Sequence, residues 1–175
     1  RPVSAELLGS LFEAGRWAAS CYNEQPWRFI VAQREQQDEY EALKSCLAEG
    51  NRGWAVSAPV LGLGIAKKTF SLNGKPNRFF HHDLGLATAG LMAQATAHGL
   101  YVHAMGGIHP QRAVEIYNIP NDFEVLTGFA IGYLGDPDTL SKDMRASELE
   151  ARHRKPLAEV VFSSGWEEPA TFLQR

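Results

Sequence analysis

Three short stretches of this chain carry side chains suited to holding a ligand. The first is Ser20-Cys21-Tyr22-Asn23-Glu24-Gln25-Pro26-Trp27-Arg28-Phe29. Ser20, Asn23 and Gln25 offer hydroxyl and carboxamide groups that donate and accept hydrogen bonds without charge. Such groups suit the polar edge of a flat heterocycle or a polyhydroxylated chain. Pro26 disfavours a helical conformation at Gln25, and Trp27 is placed to lock a following strand into a core. Neither a long helix nor an apolar strand wants this composition, so a loop is expected. A helix-to-strand turn capped by its own polar side chains has the same composition, and the residues alone leave both readings open.

The second stretch is Met105-Gly106-Gly107, just ahead of His109-Pro110. Two glycines at a strand end let backbone amides come close to a ligand, and the helix that Pro110 opens adds positive potential. A plain strand-to-helix turn reads the same way. The third stretch is Arg152-His153-Arg154-Lys155. In an extended chain Arg152 and Arg154 share a face and would clamp one phosphate, each charge-assisted bond worth about 1.5–3 kcal/mol. A solvated basic turn is the alternative. Other signals carry less. Gly62-Leu63-Gly64 lacks the third glycine of a dinucleotide fingerprint and lies in an apolar run. His81-His82-Asp83 sits at a helix start, where adjacent residues diverge and do not chelate together. Cys21 has no assignable histidine partner, so a ligand contact is the better reading than a nucleophile.

The elements that must position these stretches alternate between helix and strand. Ser4 caps a helix with Glu6 in its first turn, and Leu7, Leu8, Leu11 and Phe12 form its apolar face. Strands are expected at Phe29–Ala32, Pro59–Ala66, Leu100–Ala104 and Glu124–Leu134. A helix is expected over Gln36–Ala48, with Tyr40, Leu43 and Leu47 inward and Gly50 as its stop. Another, Ala-rich, is expected over Asp83–His98 and closed by Gly99; Ala87, Ala89, Gly90, Ala93 and Ala97 would permit close helix packing. Residues 67–78 are polar, carry the Asn73-Gly74 turn signal, and form a candidate lid. The end of the chain is charged, then apolar at Leu157–Phe162, then an extended tail over 163–175 that holds Trp166. This alternation predicts α+β or α/β with a central mixed sheet.

The chain has 175 residues, a size suited to one domain. Its formal charge of −3 argues against a nucleic-acid partner. No apolar run approaches the roughly 20 residues that span a bilayer, and no signal peptide is evident. Two cysteines without metal-type spacing, Cys21 and Cys46, suit a reducing compartment. A cytoplasmic protein with no membrane partner is expected.

Taken in order, the pieces resemble the nitroreductase family of flavin enzymes. Ala18-Ala19-Ser20-Cys21-Tyr22-Asn23-Glu24-Gln25-Pro26-Trp27 is similar to that family's APSxxNxQPW, with Ala19 standing where the family has proline. Ser57-Ala58-Pro59-Val60, the helix ending at Gly99, Leu100 to Gly107, Ile119-Pro120, Ala130-Ile131-Gly132-Tyr133 and Arg152 to Val160 follow in matching order. The resemblance implies an α+β fold with a central mixed, mainly antiparallel sheet flanked by helices, in an intertwined homodimer with FMN at the subunit interface. It implies that Ser20, Cys21, Asn23 and Gln25 contact the flavin largely from the partner subunit, that Met105, Gly106 and Gly107 present backbone to its ring, and that Arg152 and Arg154 hold its phosphate. Asn51 is implied at the flavin's polar edge; the family's basic phosphate-binding segment falls ahead of Arg1, so either that segment adds to the phosphate site or Arg152 and Arg154 hold the phosphate alone. The implied activity takes hydride from NADH or NADPH and reduces a small-molecule acceptor, such as a nitroaromatic or quinone, by a ping-pong mechanism, with no side chain acting as acid or base. Narrower dehalogenase-like or flavin-fragmenting reactions, a flavin binder without turnover, and a purely structural dimerising domain are the alternatives.

Overall fold

A computed structural model describes residues 1–173. The chain divides into two compact units at Leu134/Gly135. In the first, α1 (Ala5–Arg16), β1 (Trp27–Gln33), α2 (Gln37–Lys44), α3 (Glu49–Ala55), β2 (Val60–Lys67), α4 (Phe80–Ala97), β3 (Tyr101–Met105), α5 (Pro110–Tyr117) and β4 (Phe123–Gly132) follow one another. The Ser4 hydroxyl accepts the Leu7 amide at 3.3 Å and starts α1, and Gly99, at φ +69°, closes α4. The left-handed residue there is one glycine adopts without a Cβ clash.

The strands form one sheet in the order β1-β2-β4-β3. Every pairing is antiparallel, so among the described residues the sheet is not mixed. The β2–α4–β3 crossover joins two strands that run the same way, and β4 fills the space between them. Strand β2 is buried along nearly its whole length because helices cover both faces. Leu61, Leu63 and Ile65 pack with Tyr40 and Leu43 of α2, Ala55 of α3 and Ala113 of α5. Val60 on the opposite face packs with Leu8 and Leu11 of α1 and Leu91 and Ala95 of α4. Fully burying a leucine such as Leu11 contributes about 1.5–3 kcal/mol. The glycines of β2 lie on this second face, where Gly62 leaves room for the Phe129 ring and Gly64 for Thr127 and Leu84. They are packing residues.

Small residues also bring α1 and α4 together. A Cβ on Gly15 would sit 3.0 Å from the Ala87 carbonyl oxygen, and one on Gly90 would sit 3.0 Å from that of Ala14. No helix among the described residues is long and apolar enough to cross a membrane.

Two elements differ from expectation. The helix expected over 36–48 ends at Lys44, and Gly50 lies inside a second helix, α3, rather than stopping the first. The break follows from partners far along the chain. Cys46 O accepts the His109 amide at 2.7 Å, and the Ala48 amide donates to Gly107 O at 3.0 Å. Next, α4 starts at Phe80 rather than Asp83, because buried Asn77 accepts the Phe79 amide at 3.0 Å and sets the turn ahead of it. Residues 67–78, the candidate lid, fold as a tight hairpin. Thr69 bridges Pro76, and the Phe70 amide meets Lys75 O at 2.8 Å.

The second unit holds α6 (Lys142–Leu149), a helix that the sequence reading did not foresee. Its Ser141 cap accepts the Met144 amide at 3.5 Å, and none of its residues is buried. Leu157 and Val160, expected in an apolar stretch, are 62% and 54% exposed. Phe162 pairs with Pro169, so the expected tail doubles back on itself here; its residues 174 and 175 lie outside the described residues.

Candidate functional site

After α1 ends at Arg16, the chain makes one 3-10 turn over Cys21–Asn23 and enters β1. Tyr22, Asn23 and Gln25 have φ of +53°, +56° and +51°. Left-handed backbone costs an L-residue about 1–2 kcal/mol. Asparagine tolerates it, whereas tyrosine and glutamine do not favour it. Strain of this kind persists only where surroundings over-determine it and clusters at functional sites.

The surroundings here are specific. The Ser20 hydroxyl accepts the Gln25 amide at 2.9 Å, and the Gln25 carboxamide donates to Asn23 O at 3.2 Å. The Cys21 amide donates to a carboxylate oxygen of Asp83 at 3.1 Å. Asp83 is 1% exposed, in the first turn of α4. Trp27 is buried against Ala66, Leu84 and Ala87 and fixes the point where the loop becomes strand.

The diglycine turn has its own supports. Gly107 O accepts from the Ala48 amide at 3.0 Å and from the Asn51 carboxamide at 2.9 Å. Met105 O accepts the Thr127 hydroxyl at 3.1 Å, and Gly106 O accepts the Ile108 amide at 3.0 Å. Every carbonyl of the turn is thus engaged. The amides of Gly106 and Gly107 donate to no acceptor among the described residues. A Cβ on Gly106 would meet nothing within 4 Å, so the turn is open on that side. A Cβ on Gly107 would come within 2.5 Å of the Asn51 nitrogen. Glycine there is a requirement of the Asn51 contact.

Asn51 and Gly107 are therefore brought together, as are Ser20, Cys21, Asn23 and Gln25. No hydrogen bond joins the two sets among the described residues, and sheet order explains why. The Ser20 loop enters edge strand β1, and the diglycine turn leaves the opposite edge strand β3. Three strand spacings of about 4.8 Å separate those edges, roughly 14 Å in all. Both turns point toward the same end of the sheet: Trp27 pairs with Ala66 at the end of β2 and Ala66 with Glu124 at the start of β4, and β3 runs toward that end, finishing at Met105 opposite Gly128 of β4. The hairpin after β2 emerges there too.

Arg152 and Arg154 belong to the second unit, in an irregular exposed segment. A guanidinium nitrogen of Arg154 donates to His153 O at 2.8 Å. Asp83, Glu24 and Ser71 support the Ser20 loop and were not singled out as site residues from sequence. For Asp83 the signal was present: it sits at i−4 from Ala87 on the buried face of α4, where a charge calls for a partner.

Beside β1, a groove of about 330 Å³ is lined by Phe12, Arg16, Trp27, Arg28, Phe29 and Val31. Arg16 is held there by Glu13, at 2.6 Å. The bonds from Arg16 and then Trp17 hold the Glu13 carboxyl at about 2, well below its usual range.

Residues 1–133 match the nitroreductase family; this is the first unit almost to the residue. An FMN-containing oxidoreductase of known structure is 38% identical over 94% of this chain and 84% of its own, with a TM-score of 0.89. Two others share the fold at lower identity. A nitroreductase family protein from Clostridium difficile 630 is 24% identical, with 94% and 89% of the two chains covered and a TM-score of 0.71. One from Streptococcus pneumoniae TIGR4 is 17% identical, with 93% and 91% covered and a TM-score of 0.72. The chain, strained loop and open diglycine turn included, belongs to the nitroreductase family.

Proposed function

We propose that this protein is an FMN-dependent oxidoreductase that takes hydride from NADH or NADPH and reduces a nitroaromatic, quinone or similar small acceptor in a ping-pong cycle. The observation that carries the reading is the pair of unengaged amides at Gly106 and Gly107, on a turn whose carbonyls are all held and whose outer side is open. Such amides fit the electron-rich edge of a flat ring. The FMN content of the 38% identical relative supports the choice of ligand.

In this reading Met105, Gly106 and Gly107 present backbone to the ring. Asn51 fixes the turn and adds a carboxamide at its rim. Ser20, Cys21, Asn23 and Gln25 supply neutral polar groups from the strained loop, and Arg152 and Arg154 hold the phosphate. Bound flavin supplies the hydride chemistry, and the chain supplies position, electrostatics and exclusion of water. No side chain is assigned as acid or base.

The roughly 14 Å between the sheet edges favours a homodimer, in which one chain's loop meets the other chain's diglycine turn. The outer face of α4 supports this. Leu86 and Met92 are 38% and 36% exposed there, alongside the exposed Ala89, Ala93 and Ala97. Two free cysteines are consistent with the cytoplasm. The deciding experiment is a flavin titration followed by visible absorbance. A stoichiometric flavin spectrum is expected, and protein that stays colourless in excess FMN refutes the proposal.

A further inference from the structure

The hairpin at residues 68–78 is tied to the strained loop by a contact that spans the sequence. One carboxylate oxygen of Glu24 accepts both the Ser71 amide, at 2.9 Å, and the Ser71 hydroxyl, at 2.5 Å. The Lys67 ammonium donates to the same hydroxyl at 2.9 Å. Next to this tie the Tyr22 and Phe70 rings meet edge to face, with centroids 5.9 Å apart and planes at 79°. The hairpin is itself stiff. The Gly74 amide meets Phe70 O at 2.8 Å, and its root is closed by the Asn77 amide on Lys68 O at 2.7 Å. What Glu24 holds is therefore a body, and Phe70 moves with it.

Tyr22 is 91% exposed on backbone that costs a tyrosine about 1–2 kcal/mol. A ring so exposed returns little burial energy to offset that strain. Its neighbours Cys21 and Asn23 are both assigned to the flavin loop. Resting on the flavin reading above, we infer that Glu24 is a positioning residue. Through Ser71 it holds Phe70 against Tyr22, and the two rings form an aromatic rim beside the flavin loop that favours flat aromatic acceptors over small inorganic ones. Edge-to-face geometry leaves a ring face free to stack with a planar guest.

The test uses the full chain loaded with FMN, and flavin uptake is read first by absorbance. Hydrogen exchange over 68–78 reads the tie without reference to activity. The ratio of kcat/KM for menadione, a two-ring quinone, to that for ferricyanide reads the rim. Glu24→Ala removes the acceptor. It is expected to speed Ser71 amide exchange about tenfold, the order set by loss of charge-assisted hydrogen bonds, and to lower the ratio several-fold through KM for menadione. Glu24→Gln keeps a carboxamide oxygen and is expected to retain both. Phe70→Ala is expected to lower the ratio.

Unchanged exchange in Glu24→Ala overturns the tie. An unchanged ratio in both Glu24→Ala and Phe70→Ala overturns the rim, as does a Phe70→Ala protein whose only change is a shift from dimer to monomer. Failure to take up flavin overturns the functional reading and the rim with it, while the exchange result still decides the tie.

Discussion

Removing the Asp83 carboxylate tests how the loop is held. Asp83 is buried at 1% exposure and gives the Cys21 amide its acceptor, 3.1 Å away; its other neighbour is the exposed His82 ring at 3.4 Å. A hydrogen bond to a charged group contributes about 1.5–3 kcal/mol. Of the three left-handed residues beside it, Tyr22 and Gln25 store about 1–2 kcal/mol each. Loss of the anchor is thus comparable with the strain of one or two residues, and the loop is expected to relax. Asp83→Ala also relieves the cost of burying a carboxylate, so the net loss of stability is expected to be about 1–2 kcal/mol. For a chain of this size that lowers Tm by roughly 2–8 °C. Asp83→Asn keeps an oxygen for the Cys21 amide and is expected to lose less than about 1 kcal/mol. Hydrogen exchange at Cys21 should accelerate in the alanine variant and change little in the asparagine one. FMN affinity should fall about tenfold in the alanine variant, the equivalent of 1.4 kcal/mol. Unchanged exchange at Cys21, together with FMN affinity within about twofold of the parent (roughly 0.4 kcal/mol), refutes the reasoning.

Three further outcomes follow from other parts of the molecule. Gly62→Ala drives a Cβ into the Phe129 ring; overpacking of this kind costs about 1–3 kcal/mol, read as a lower Tm. Arg152→Ala and Arg154→Ala remove exposed side chains, so apo-protein Tm should hold, while FMN affinity should fall roughly tenfold for each lost charge-assisted contact; unchanged affinity by titration removes them from the site. Burial pushes the Tyr117 hydroxyl up to about 12, and its oxygen has no hydrogen-bond partner among the described residues. Because the folded value is raised, the stabilisation is complete below the ordinary value near 10 and is lost as pH rises from there through about 12. With the ring only half-buried, about 1 kcal/mol is expected to disappear across that window. Alkaline melts of Tyr117→Phe should lack that loss.

What could be read in the sequence was set by local chemistry. The Ser4 cap and the Leu8/Leu11 spacing mark α1, Gly99 marks the end of α4, and the unbroken apolar run marks β2 as covered on both faces. Each signal acts within a turn or two of chain. The break between α2 and α3 was hidden because its causes, His109 and Gly107, lie roughly sixty residues away. Composition at 45–50 cannot register them, and Gly50 therefore looks like a stop. The strand order was hidden for the same reason, since a sheet is ordered by pairing between distant segments. Ser20, Asn23 and Gln25 were legible as residue types. That Tyr22 and Gln25 would share left-handed backbone with Asn23 was not, because neither side chain favours it. The local Ser20 and Gln25 bonds act together with Asp83 and Glu24, which reach across the fold, to hold that conformation.

The sheet order also changes what the motifs mean together. Read as a line, the Ser20 loop and the Gly106-Gly107 turn look like walls of one slot, and the family resemblance implies that the loop comes from the partner subunit. In the folded chain they sit on β1 and β3, the two outer strands, with β2 and β4 between them. About 14 Å between the edges leaves each turn without the other to close on. Each is nonetheless finished: the loop is strained and anchored, and the turn has its carbonyls held and its amides free. In the proposed function these two turns, on opposite edges of one sheet, favour completion by a second copy related by a two-fold axis, since an isologous interface allows each loop to meet the other chain's turn. On that argument flavin affinity and dimerisation are linked: dilution to monomer should release FMN, and added FMN should shift the equilibrium back towards dimer. Sedimentation with and without FMN measures both, and flavin that stays bound to a monomer contradicts the shared-site arrangement.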